Sequence, residues 1–415
     1  MKRSQAGGEA RATAIRALLA SPLLLRRKDE DLFRLVATDR TALQGWFEHN
    51  LGWRLHVDIR AGIARLHKRT NDPDPRRGLR RTRASKRAFD ALRYQILALV
   101  CAELLRRPHA TLGELADAVA RVSTADPALH TVDLTRHSDR IAFVDALLWL
   151  VDVGAVDITA GELEGFGGSQ DVDAVLVANT TLIPMLLSSD TAPSRIEADD
   201  VRQWIDALVA EPRYGTAATD PEHTDRDQRS RWSRHQAIRR LVDEPAMDLA
   251  ELPPAVHQYL YTPAGRDKVL DAAAAAELRI ERHSDVWLAV DPSRESTAAT
   301  FSSAGRVSTA EQAAAIVLAA LVEIGEDGHR RTTRRSCEAL QRVLAARLAA
   351  TPGWARGFRG DEGVQALLAE SIDLLEEFGL VRRDGDELAP RPAAARFVVH
   401  ISVGAKDDEI GGDEA

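Results

Sequence analysis

The chain has 415 residues, room for two to four domains, and its 45% apolar and 28% charged content is that of an ordinary folded protein. A formal charge of −8 argues against a protein that coats DNA with its whole surface, yet leaves room for a local basic patch. Two distant cysteines, Cys101 and Cys337, make neither a zinc knuckle nor a disulfide framework, and no apolar run approaches the ~20 residues that span a bilayer.

The N-terminus has no apolar run after its first charges, so a cytoplasmic location is expected. Helices are predicted over 10–20 and 29–50, with Asp39 as a cap, followed by alternating segments 53–58 and 63–68 around an Ala61-Gly62 turn. Residues 69–87 are rich in Pro, Gly and charge and nearly devoid of apolar side chains, which predicts a linker. A helix over 89–105 comes next. Thr111 and Glu114 form a capping box that opens a second helix, and a third covers 138–153.

Farther on, a capping box at Ser194–Glu197 predicts a helix over 197–211, then a polar stretch to Arg231. Helices near 232–243 and across 254–276 lead into strands over 278–281 and 286–290. A further capping box, Ser308 with Glu311, opens a helix over 309–324; helices over 332–349 and 361–378 follow, with a turn at Asp384-Gly385. Residues 404–415 are Gly- and acid-rich, an expected disordered tail.

One unit occurs twice in this order: an amphipathic helix, a Gly stop, then a hairpin. Superposing Gly154 on Gly379 aligns Leu147 with Ile372, Leu150 with Leu375 and Val153 with Phe378. Steps of three place these side chains on one helix face, and the glycine supplies a left-handed cap. With two helices before each copy, the unit is a winged helix. The expected fold is mainly α with small β-hairpins, as tandem winged-helix domains. The expected layout is a helical and hairpin block over 1–70, a basic linker over 71–87, a winged helix over 88–180, a middle helical and hairpin block over 181–300, and a second winged helix over 301–403.

A winged helix that reads DNA places basic and amide side chains of its third helix in the major groove. Residues 361–377 carry six acids and no Lys or Arg, and 138–153 carry Asp139, Asp145 and Asp152 against Arg140. Phosphates repel such a face. Basic residues concentrate elsewhere, at Arg76, Arg77, Arg80, Arg81, Arg83, Lys86 and Arg87, and at Arg330, Arg331, Arg334 and Arg335, which stand at the start of a predicted helix. The first cluster can follow phosphates without reading bases, or be a solvated linker. The second can bind an anion through the helix N-terminus. His223, Asp225 and Asp227 read as a solvated turn rather than a metal site. There is no zinc-protease, P-loop or nucleophile-elbow motif, so no catalytic residue, cofactor or metal is expected.

Several segments resemble one family: Leu18 to Leu24, Trp46-Phe47, Asn50 to Leu55, Ala64 to Arg69, Ser138 to Leu147, Leu252 to Leu260, and Trp287 to Pro292. They look like the MukE-like, kleisin-interacting tandem winged-helix (KITE) subunit of Wadjet anti-plasmid systems. The resemblance implies a non-enzymatic homodimer that binds a MukF-like kleisin and works indirectly with a MukB-like SMC ATPase. It also implies contact with double-stranded DNA, nucleoid or plasmid association, and a separate Toprim-type nuclease subunit in the same system. The alternative is a winged-helix transcriptional regulator.

Overall fold

The computed structural model describes residues 2–70, 77–82, 87–168, 173–187, 189, 191–297, 308–324, 330–351 and 353–397. The chain forms two compact units, residues 1–215 and 216–415. The expected tail over 404–415 lies outside the described residues.

Unit 1 begins with α1 (Lys2–Ala20), β1 (Leu23–Leu25), α2 (Glu30–Thr38), α3 (Arg40–Leu51), β2 (Arg54–Asp58) and β3 (Ile63–His67). It continues with α4 (Ala91–Arg106), β4 (His109–Thr111), α5 (Leu112–Ala125), α6 (His137–Asp152), β5 (Val156–Gly161) and β6 (Ala174–Ala178), then the short α7 (Leu182–Met185) and α8 (Val201–Val209). Unit 2 holds α9 (Arg226–Asp243), β7 (Met247–Asp248), α10 (Pro254–Tyr261), α11 (Pro263–Ala275), β8 (Arg279–Arg282) and β9 (Val286–Val290). It ends with α12 (Thr309–Leu321), β10 (Val322–Ile324), β11 (Arg330–Thr332), β12 (Arg335–Ser336), α13 (Cys337–Ala350), α14 (Gly360–Glu377), β13 (Val381–Asp384) and β14 (Glu387–Pro390).

Three times the order is helix, strand, helix, helix, strand, strand; the last block keeps it with the β10–β11 hairpin inserted between α12 and β12. Each time the third strand lies between the other two: β1-β3-β2, β4-β6-β5, β7-β9-β8 and β12-β14-β13, all antiparallel. The chain is therefore four winged-helix modules, two in each unit. The short strand between the first two helices of a module was not expected from sequence, because two or three residues carry no period to read.

The third helix of every module ends in the same left-handed stop. Gly52, Gly154 and Gly379 have φ of +62°, +80° and +63°, and in the third module the position is Glu277 at +54°. Ala155, Leu278 and Leu380 donate their N–H to Leu150, Ala273 and Leu375, five residues back, which is the bond of a Schellman cap. Glu277 thus hides the repeat from a search that superposes glycines. Left-handed backbone is strained for a residue with a Cβ. Glu277→Gly should raise stability by about 0.5–1 kcal/mol, read as a higher urea midpoint at unchanged slope.

Helix bounds differ from expectation at several places. α1 begins at Lys2 rather than 10, and the stretch 29–50 divides at Asp39, which precedes α3 without the expected side-chain cap bond and pairs with Arg11 instead. α8 begins at Val201, because Asp200 accepts from Gln203 N; Ser194 lies in a 3₁₀ turn instead. α9 starts at Arg226 behind the Asp225 cap. α13 starts at Cys337 behind Ser336 rather than at 332. At α8, α9 and α13 a polar cap side chain accepts from the first free backbone donors and fixes the start.

Each unit joins its modules in the same way. In unit 1, Arg27, just beyond β1, donates to the Gly154 carbonyl at 2.8 Å and pairs with Asp157 at 2.5 Å, while Lys28 donates to the Asp152 carbonyl. Cations on the terminal carbonyls of α6 satisfy orphan acceptors and suit its dipole. In unit 2, Pro245 lies against Gly379, and Glu251 pairs with Arg382 at 4.0 Å and with Arg391. Asp157 and Arg382 both stand three residues after the glycine, so the joint recurs with its charges exchanged. Leu25 and Ile63 enter the core of the second module, and Val286 and Leu288 that of the fourth.

Candidate nucleic-acid and partner interfaces

Of the first basic cluster, Arg76, Arg83 and Lys86 lie outside the described residues. The segment around them is tied down. Arg80 bridges Ala88, Arg81 N donates to the Arg87 carbonyl, and Leu79 N donates to the Tyr94 hydroxyl on α4. Arg77, Arg80 and Arg87 are exposed. Arg81 turns inward, with its Nε 3.5 Å from the buried Asp145 carboxylate on α6. Asp145 also accepts from Arg93 Nε at 2.8 Å, and Arg93 pairs with Asp90, the cap of α4. Arg81 therefore holds the fold together and is not presented to solvent as the linker reading expected.

Of the second cluster, Arg330 and Arg331 lie on β11 and Arg335 on β12, with Arg334 between the strands; α13 opens at Cys337 behind Ser336, so Thr332 and Thr333 do not form the helix terminus that was expected to take an anion. β-Branched Thr332 and Thr333 favour extended backbone there, and the helix waits for Ser336. Arg330 belongs to the β10–β11 hairpin. Arg331 is exposed. Arg334 pairs with Asp384 on the wing at 3.1 Å, and Arg335 donates to the Ala320 carbonyl at 2.6 Å. On the same wing Arg383 lies 3.6 Å from Asp373 of α14. Within the cluster, Arg334 thus faces a carboxylate and Arg335 a backbone carbonyl.

The third helices of the second and fourth modules offer solvent two different faces. α6 does not offer a solvated acidic face. Asp139 and Asp145 are 5% and 1% exposed, and from Asp139 to Val151 no side chain is fully exposed. α4, the Glu164–Gly167 turn and Leu25 enclose the helix. The Asp139 carboxylate accepts from Ser138 Oγ and Asp133 N. α14 does present the expected face: Asp361, Glu362, Glu370, Asp373 and Glu377 are exposed, while Val364, Leu367, Leu368, Ile372 and Leu375 are buried. The corresponding α11 shows Asp267, Lys268 and Asp271 to solvent.

Sequence reasoning missed the Arg93–Asp145–Arg81 network. Its signal was available: an aspartate inside Phe143-Val144-Asp145-Ala146-Leu147 is a charge among core residues, and such a charge needs a buried counter-ion. Asp225 caps α9, and His223 pairs with Asp220. Among the described residues no group of three His, Cys, Asp or Glu side chains is placed to hold a metal. Burial pushes the Cys101 thiol up to about 11, which keeps it protonated and unreactive at neutral pH. No described helix is long and apolar enough to cross a membrane.

No curated protein and no solved structure matches this chain. A family model described as a protein of unknown function (DUF2398) matches residues 15–400, a span that runs from within α1 past β14 and takes in all four modules. Since that match covers nearly the whole chain, the protein belongs to the DUF2398 family.

Proposed function

We propose that this chain is a kleisin-binding, non-catalytic subunit of a condensin-like SMC complex that restricts plasmid DNA, similar to the MukE-like subunit of Wadjet systems. Its direct partner is a MukF-like kleisin, through which it works with a MukB-like SMC ATPase, and a Toprim-type nuclease subunit acts in the same system. The observation that carries this reading is the acidic solvent face of α14 on an otherwise regular winged helix. Such a face repels a duplex and suits a basic protein segment. Operator reading, the rival function, has no support from α6 or α14. Two paired winged-helix modules in each unit also give one chain two platforms of the tandem kind that the resemblance implies.

Co-expression with the kleisin and SMC proteins of the same genome tests it. The complex should co-purify, and changing Glu362, Glu370 and Glu377 to Lys should cut recovery of the kleisin at least tenfold. No complex with either protein refutes the role, and undiminished recovery of the triple variant refutes α14 as the docking face.

A further inference from the structure

We infer that the first winged-helix module contacts duplex DNA through the exposed side of α3 and the tip of its β2–β3 wing. This deepens the DNA-associated part of the reading above and rests on it only there. Exposed residues of α3 are Arg40, Thr41, Gln44, Gly45, Glu48 and His49, one continuous stripe along the helix. The wing adds Arg54, His56 and Arg60.

The acids near this surface are already occupied. Asp39 pairs with Arg11 at 2.6 Å, Glu48 with Arg213 at 2.7 Å, and Asp58 Oδ1 accepts from the backbone of Arg60 and Ala61 at the wing turn. Arg40 and Arg60 have no ion-pair partner among the described residues. Arg213 also pairs with Glu211 at 2.6 Å, so Arg11, Arg40, Arg54, Arg60 and Arg213 stand against Asp39, Glu48, Asp58 and Glu211, a small positive excess where the face of α14 is acidic.

Gly45 is a second, independent observation. It sits exposed in the middle of α3, and a Cβ built there would meet nothing within 4 Å. Glycine weakens a helix interior, and neither packing nor a positive φ requires it here. A bare backbone at the centre of a basic stripe permits the close approach of another molecule. Gln44 donates from Nε2 to the Leu55 carbonyl at 3.1 Å, which fixes the helix against the wing and engages one of its two amide N–H groups. The charged side chains of the surface, Arg40, Arg54 and Arg60, are groups that follow phosphates.

Fluorescence anisotropy of the full chain with a labelled duplex of about 25 base pairs tests the inference, with salt titration as readout. In Arg40→Glu/Arg60→Glu, affinity should fall at least tenfold, and the slope of log K against log salt should shrink by about 2, the value for two lost phosphate contacts. Gly45→Leu should lower affinity at least threefold while the melting temperature holds or rises, an outcome that unfolding cannot imitate. Kleisin recovery should be unchanged in both variants, which separates this surface from the partner face. The inference is overturned if the chain binds no duplex, or if Arg40→Glu/Arg60→Glu binds like wild type. It is equally overturned if Arg77→Glu/Arg80→Glu/Arg87→Glu abolishes binding while Gly45→Leu leaves it intact.

Discussion

Asp145→Ala should destabilise the protein by about 3–5 kcal/mol, the usual cost of leaving a buried counter-charge unmatched. Asp145 is 1% exposed, and Arg93, whose Nε is 2.8 Å from its carboxylate, is 6% exposed. Removing the carboxylate takes the acceptor from the buried Arg93 Nε, leaving Asp90 as the acid paired with that guanidinium, and releases Arg81, which ties the segment after residue 76 to α6. Asp145→Asn keeps the shape and loses the charge, so it should cost less, about 1–3 kcal/mol. Arg81→Met should cost less still, because its side chain is 22% exposed. Replacing the pair as Asp145→Leu/Arg93→Met should recover part of the loss, since buried ion pairs gain little over apolar packing once both charges are gone. Urea unfolding of the four variants measures this. A midpoint for Asp145→Ala within 1 kcal/mol of wild type would show that water reaches the pair.

The same residues show what a sequence can and cannot disclose. The helix and Gly stop of the second and fourth modules were legible because apolar periodicity and a cap agree locally at Leu150 and Gly154, and at Leu375 and Gly379. The third module was not recognised as a winged helix, since Glu277 replaces the glycine and β7 has two residues. Its topology is set by pairing β7 with β9, a contact between residues about 40 apart in sequence. For the interfaces, composition located charge but not its neighbours. Asp145 and Glu370 look alike in sequence, yet one is enclosed by α4 and the other faces water. Arg81 and Arg80 are adjacent, and only Arg81 reaches the core acid. Whether a charge is free to meet a partner depends on packing over long sequence distances, which no local pattern carries.

Acid should weaken unit 1 through His67. The imidazole is buried on β3, and burial, together with the Arg65 and Arg54 guanidinium groups and His56, pushes it down to about 4; a hydrogen bond with the Leu187 backbone opposes the shift. In the unfolded chain it titrates near its ordinary 6.5. The folded state thus favours the neutral ring, and its contribution is complete above pH 6.5. As pH falls from 6.5 towards 4 the unfolded chain takes up a proton that the folded chain refuses. Stability is then lost, by about 2.5 kcal/mol between pH 7.5 and 4.5. Below pH 4 both states are protonated and the loss levels off. Carboxylates titrate over part of the same range, so the informative quantity is the difference between wild type and His67→Gln. At pH 7.5 the variant should be the less stable, because a fitted neutral ring is lost beside Met185–Leu187, where Arg65 donates to the Met185 carbonyl. By pH 4.5 that gap should have closed by about 2.5 kcal/mol, seen as Tm curves that converge or cross. Parallel curves over this interval would mean that His67 protonates as readily in the folded chain as in the unfolded one, and that the strand is open to water where α7 lies over it.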